Sequence, residues 1–140
     1  MMRLCVRVLF MACLAGVVVS CSGPADPPKL KELQRAHSGD LDVVLLAAGD
    51  TLKPGKDQAF LEFRTGSDHH LVDVGTVTVN ATMPMAGMPP MMGSSFVNRT
   101  DVAGRYAIDT DLGMAGSWRL EIAWDGPAGK GKAMMPGTVR

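Results

Sequence analysis

The sequence predicts an all-β sandwich, and three observations carry that prediction. Past residue 40 the apolar positions recur with a period of two, the period at which a strand buries one face. The 16 Gly and 9 Pro in 140 residues cut the chain into short segments and disfavour long helices. Segments with one apolar face each need a second sheet to cover them, so about seven short antiparallel strands pack as two sheets, an immunoglobulin-like arrangement. A chain this long makes one domain.

The elements follow in order. Leu41, Val43, Leu45 and Ala47 alternate with partly apolar neighbours, a strand expected to be buried on both sides. Gly49-Asp50 and Pro54-Gly55 punctuate the connection to a second strand, in which Ala59, Leu61 and Phe63 face one way and Glu62 and Arg64 the other. Val77, Val79 and Ala81 alternate with Thr76, Thr78 and Asn80, and Tyr106 and Ile108 alternate with Arg105, Ala107 and Asp109. Trp118, Leu120, Ile122 and Trp124 form the cleanest stripe, with Arg119 and Glu121 opposite. A weaker strand runs around Lys132 to Val139, where Pro136 marks an edge or bulge. The inward aromatics Phe63, Tyr106, Trp118 and Trp124 are expected to fill much of the core, each burying about 150–250 Å².

Ahead of this domain stands an address. Arg3 and Arg7 precede an apolar run from Val8 to Val19, followed by Ser20-Cys21. That is the pattern of a secretory signal peptide, and the run is shorter than the about 20 apolar residues that span a bilayer. Val18-Val19-Ser20-Cys21 resembles a bacterial lipobox, which implies cleavage before Cys21 and lipid on its sulfur. Cys5 and Cys13 lie in the removed segment, so the mature domain has no disulfide, and any soft-metal site in it must use thioether, imidazole or carboxylate. The expected organisation is therefore a signal peptide over 1–20, a lipidated cysteine and flexible tether over 21–38, and the sandwich over 39–140. Pro24, Pro27 and Pro28 argue for the tether, with at most a marginal helical turn from Lys29 to Arg35. The expected location is the bacterial cell envelope, lipid-anchored to the membrane and facing the periplasm.

Charge and motifs exclude several functions. The whole chain balances 14 Lys+Arg against 14 Asp+Glu, which leaves no basic excess for nucleic acid. It contains no His-Glu-x-x-His, no Gly-x-Ser-x-Gly and no phosphate-cradling glycine loop. Its three histidines leave little for acid–base work: His69-His70 falls in a turn and His37 in the tether. The sequence reads as a non-enzyme.

The compositional oddity is methionine. Of 11 Met, all but Met1, Met2 and Met11 lie past the signal segment, and Met83, Met85, Met88, Met91 and Met92 interleave with Pro84, Gly87, Pro89 and Pro90. Proline rules out a helix there, so the thioethers are expected on a constrained loop at one end of the sandwich. Thioether sulfur is soft and uncharged, suited to Cu(I) or Ag(I) and poor for Zn, Mg or Ca. Met114, His69 and His70 are available supplements. Two other readings stand beside a metal site: a core cap, since Met83 and Met85 continue the phase of Val77, Val79 and Ala81, and an adaptable apolar surface for a partner protein.

Three motifs in order add a family resemblance. Val77-Thr78-Val79 leading to Met83-Pro84-Met85, then Gly104-Arg105-Tyr106, then Met114-Ala115-Gly116-Ser117-Trp118-Arg119-Leu120 resemble the YtkA-like/FixH-like domain family over about Leu41 to Asp125. The resemblance implies a small β-sandwich, secreted or lipid-anchored, of a kind found beside heavy-metal efflux components and among factors for copper-oxidase assembly. It carries a copper role onto Met83, Met85, Met88 and Met114, and structural roles onto Gly116 and Trp118. Related loops often hold a histidine where this one has none, which favours an all-thioether site. The functional expectation is a membrane-tethered periplasmic Cu(I)-binding protein for copper tolerance or cuproenzyme assembly, with Met83, Met85, Met88, Met91, Met92 and Met114 as candidate ligands. The alternative is a β-sandwich interaction module that docks onto an envelope efflux or oxidase complex without metal.

Overall fold

A computed structural model describes residues 29–140, and within them the protein is built of strands alone. The signal peptide over 1–20, Cys21 and the first part of the tether lie outside the described residues. Eight strands follow in order: β1 (Lys31–Ser38), β2 (Leu41–Ala47), β3 (Gly55–Thr65), β4 (Thr76–Met85), β5 (Met88–Arg99), β6 (Arg105–Leu112), β7 (Gly116–Gly126) and β8 (Gly129–Val139). All pairings are antiparallel, in the order β1-β2-β3-β6-β5-β4-β7-β8.

Strand β5 belongs to both layers. Its first half, to Gly93, pairs with β4, and its second half, from Ser94 to Arg99, pairs with β6. A side chain at Gly93 would have its Cβ 2.7 Å from Leu112 Cδ2 and 3.1 Å from Trp118 Cζ3, so glycine is what lets the strand cross over the core at this corner. The two layers enclose a shared core. Phe63 on β3 meets Tyr106 on β6 edge-on at 5.6 Å and Trp124 on β7 at 5.2 Å, the second contact joining the layers. All four expected inward aromatics are buried, and so is every residue of the Trp118–Trp124 stripe. Strand β2 is buried on both faces, as its near-continuous apolar run predicts.

Two expectations are corrected. The tether does not extend to residue 38, because Lys31–Ser38 is a strand that pairs with β2 and sends Leu33 and Ala36 against the core. A register shift between Glu32 and Gln34 separates those two apolar residues by three positions, which hides the alternation and imitates a helical turn. This strand also takes the total to eight. The methionine segment is a hairpin rather than a loop. Strands β4 and β5 continue to Met85 and from Met88, joined by the two-residue turn Ala86-Gly87, and Gly87 takes a φ of 72° that favours glycine. Pro84, Pro89 and Pro90 all sit at the register shift beyond the Met83–Met91 pair and have no partner in the ladder. No ladder N–H is needed there, so proline is tolerated inside a strand.

Candidate functional site

The hairpin sets the methionines by register. Met83 stands directly opposite Met91, and Met85 opposite Met88, so the thioethers form two successive cross-strand rungs. Directly opposed residues share a face with Cβ atoms about 4.5–5.5 Å apart. Met83 and Met91 are half-buried and packed against the core, whereas Met88 is 59% exposed at the tip. Met92 is paired with Thr82 on the opposite face and is 66% exposed, so alternation separates it from the other four.

The turn between β6 and β7 closes over the inner rung. Trp118 Nε1 donates to the carbonyl oxygen of Met114 at 3.0 Å, which fixes the turn to the core. A Cβ at Gly116 would lie 2.5 Å from the Met83 methyl and 3.4 Å from its sulfur, and one at Gly113 would lie 3.8 Å from the Met91 sulfur. Both inner-rung sulfurs therefore abut the segment that carries Met114, which is itself 40% exposed. Gly116, with a φ of 147°, is the residue that makes room for Met83. Met83, Met91 and Met114 come from β4, β5 and the β6–β7 turn, with Met85 and Met88 as a second tier toward the tip.

The donor set is chemically uniform. From Ala81 to Gly93 there is no charged residue and no histidine. Among the described residues no three His, Cys, Asp or Glu side chains come together in a group able to hold a metal. Neutral thioethers give a cation no charge compensation, which suits a soft monovalent ion and not a hard divalent one. Of the remaining methionines, Met135 is buried in the core and Met134 points outward.

The carboxylates form a separate system on the outer face of β1, β2, β3 and β6, with no signal in the sequence beyond an acid inside each of two apolar strands. Glu62 is 2% exposed and accepts from Arg64 Nε at 2.8 Å and from Arg105 Nε at 2.7 Å. Asp42 accepts from Arg35 Nη1 at 3.0 Å and contacts His37, which lies in β1 and not in a tether. Burial pushes the Asp42 carboxyl up, and His37 and Arg35 more than offset that, so it titrates below the usual carboxylate range. Asp109 accepts from Gln58 and Asn98, both at 3.0 Å, on the exposed side of its strand.

A family profile described as YtkA-like matches residues 35–123, which takes in the hairpin, the β6–β7 turn and most of β7. No curated protein matches the chain, and no solved structure does.

Proposed function

The chain belongs to the YtkA-like family, and from that premise we propose that it is a periplasmic protein, tethered to the membrane by lipid on Cys21, that binds Cu(I) as cargo. Met83, Met91 and Met114 supply the sulfur donors, and the Met85–Met88 rung offers further thioethers on the way in. The single supporting observation is that the Met83 and Met91 sulfurs abut the same turn, the one that bears Met114. Three thioethers from separate elements suit the low coordination number of Cu(I). The protein acts by binding and handing on the ion, in copper tolerance or cuproenzyme assembly, and not by catalysis. Met92, included among the ligands on sequence grounds, is left out because it sits on the far face.

A second reading has its own observation. Met88 and Met92 expose large apolar side chains at the hairpin tip and on its outer face, which is what a docking surface for an envelope efflux or oxidase complex requires. An anaerobic Cu(I) competition titration separates the two. One defined equivalent is expected, weakened at least tenfold by Met83→Leu or Met91→Leu and unchanged by Met92→Leu. Leucine keeps the apolar volume and removes the sulfur. Equal affinity in the Met83→Leu and Met91→Leu proteins would sink the copper reading and leave the docking one.

A further inference from the structure

The two layers end, away from the hairpin, in a cluster that the copper reading does not use. Gly55 at the start of β3 pairs with Leu112 beside the Met114 turn, and Thr65 at its end pairs with Leu41. At about 3.3 Å per residue, these ends lie about 30 Å apart. Two of the three histidines gather at the far end around one carboxylate. Asp42 has a side chain only 4% exposed. His37, its direct partner across β1 and β2, contacts one carboxylate oxygen through Nδ1. His69 Nδ1 lies 3.8 Å from the other oxygen, which also accepts from Arg35.

His69 reaches this position on a built turn. Gly66 N–H donates to the Asp40 carbonyl at 2.8 Å and His69 N–H to the Thr65 carbonyl at 3.1 Å. His69 has a φ of 58°, and it is the one non-glycine residue with a positive φ among the described residues. That conformation is costly for an L-residue and persists where the surroundings hold it. Both rings are otherwise open to solvent, with His37 75% and His69 58% exposed.

We propose that Asp42 presents His37 and His69 as a two-imidazole site for a borderline divalent transition-metal cation, with Cu(II) as the probe that reports it. An imidazole whose Nδ1–H faces a carboxylate keeps its lone pair on Nε2, the arrangement that orients metal-binding histidines from the outer shell. The Asp42 carboxylate does this directly for His37, and its other oxygen lies 3.8 Å from His69 Nδ1, so that both exposed imidazoles border one buried acid. Water completes the coordination, since among the described residues no three His, Cys, Asp or Glu side chains form a group able to hold a metal. The local charge does not repel a cation: Arg35 pairs with Glu32 and Asp42, and Arg64 and Arg105 pair with Glu62, so the three arginines and three carboxylates balance. Asp42 is a positioning residue here, not a ligand.

The test uses the purified protein without a polyhistidine tag, titrated with Cu(II) and followed by electron paramagnetic resonance. One equivalent is expected, with hyperfine structure from two imidazole nitrogens. His37→Ala and His69→Ala should each weaken binding at least tenfold and remove one nitrogen, whereas His70→Ala should change nothing. Asp42→Asn should weaken binding by about 10–100-fold while keeping the two-nitrogen signature. Unchanged binding in the His37→Ala or the His69→Ala protein overturns the proposal, and so does loss of binding in the His70→Ala protein. The Met83→Leu and Met91→Leu proteins should keep the Cu(II) signal whether or not they take up Cu(I), so this site and the thioether site fail independently.

Discussion

At the scale of single residues, the core shows where a side chain is forbidden. Gly131 on β8 stands opposite Trp124 on β7, and a Cβ there would fall 2.2 Å from Trp124 Cζ2. The indole packs against the glycine and reaches Phe63 across the core. Gly131→Ala must displace it, and the cost expected is about 2–3 kcal/mol, read as a lower urea midpoint at unchanged slope. Gly137→Ala on the same strand meets Leu120 at an ordinary 3.4 Å and should be nearly neutral. A second residue-scale prediction concerns Asp73, where the Gly75 N–H, then the Tyr106 hydroxyl, then Arg99 hold the carboxyl below its usual range. A carboxyl depressed on folding adds stability above its unfolded pKa and loses it as pH falls through the folded value. Stability should therefore decline with acidification below about pH 4, and Asp73→Asn should flatten that decline in urea denaturations run across pH. The aromatics and the stripe ending at Trp124 were legible in the sequence because alternation alone places them. The close approach at Gly131 was not, since it depends on which residue the register sets opposite.

Among the elements, the β4–β5 hairpin shows why the site was only half legible. Five methionines among prolines read as a loop, because proline normally ends a strand. The hairpin survives because its three prolines fall where the ladder is already interrupted. Sequence parity places Met83 against the core, where the structure has it, but it cannot say which methionines of β5 face those of β4. That is decided by the register shift, which pairs Met83 with Met91 and turns Met92 away. The turn is the weak point of this device, because Gly87 needs a left-handed backbone, and since a Cβ there would meet open space the cost of a side chain is conformational alone. Gly87→Val should cost about 1–2 kcal/mol, confined to the hairpin. Amide hydrogen exchange should accelerate at Met83 and Met91 and stay unchanged in β2, β3 and β6. Uniform acceleration across all strands would show instead that the hairpin and the core open together.

For the molecule as a whole, the decisive feature is how the layers are joined at both sides. On one side β5 passes between them at Gly93, next to the Met83–Met91 rung, so the thioethers sit at the seam where the layers merge. On the other side β1 approaches β8, with Ser38 Oγ donating to the Lys132 carbonyl at 3.1 Å, and Leu52 bridging to Val139. The segment assigned to a tether is thus part of the closure. Strand β1 pairs along β2, setting Arg35 beside the buried Val44 and Glu32 beside the buried Leu46, and it supplies Arg35 and His37 to the buried Asp42. A chain beginning at Gly39 loses those neighbours, while one beginning at Lys29 keeps them. Exposing part of Val44 and Leu46 forfeits part of the about 1.5–3 kcal/mol that burying each contributes, and Asp42 loses its ion pair with Arg35 and its contact with His37. The shorter protein should therefore unfold at a clearly lower urea concentration and bind more hydrophobic dye. Equal midpoints for the two proteins would return residues 31–38 to the tether and leave β2 as a self-sufficient edge.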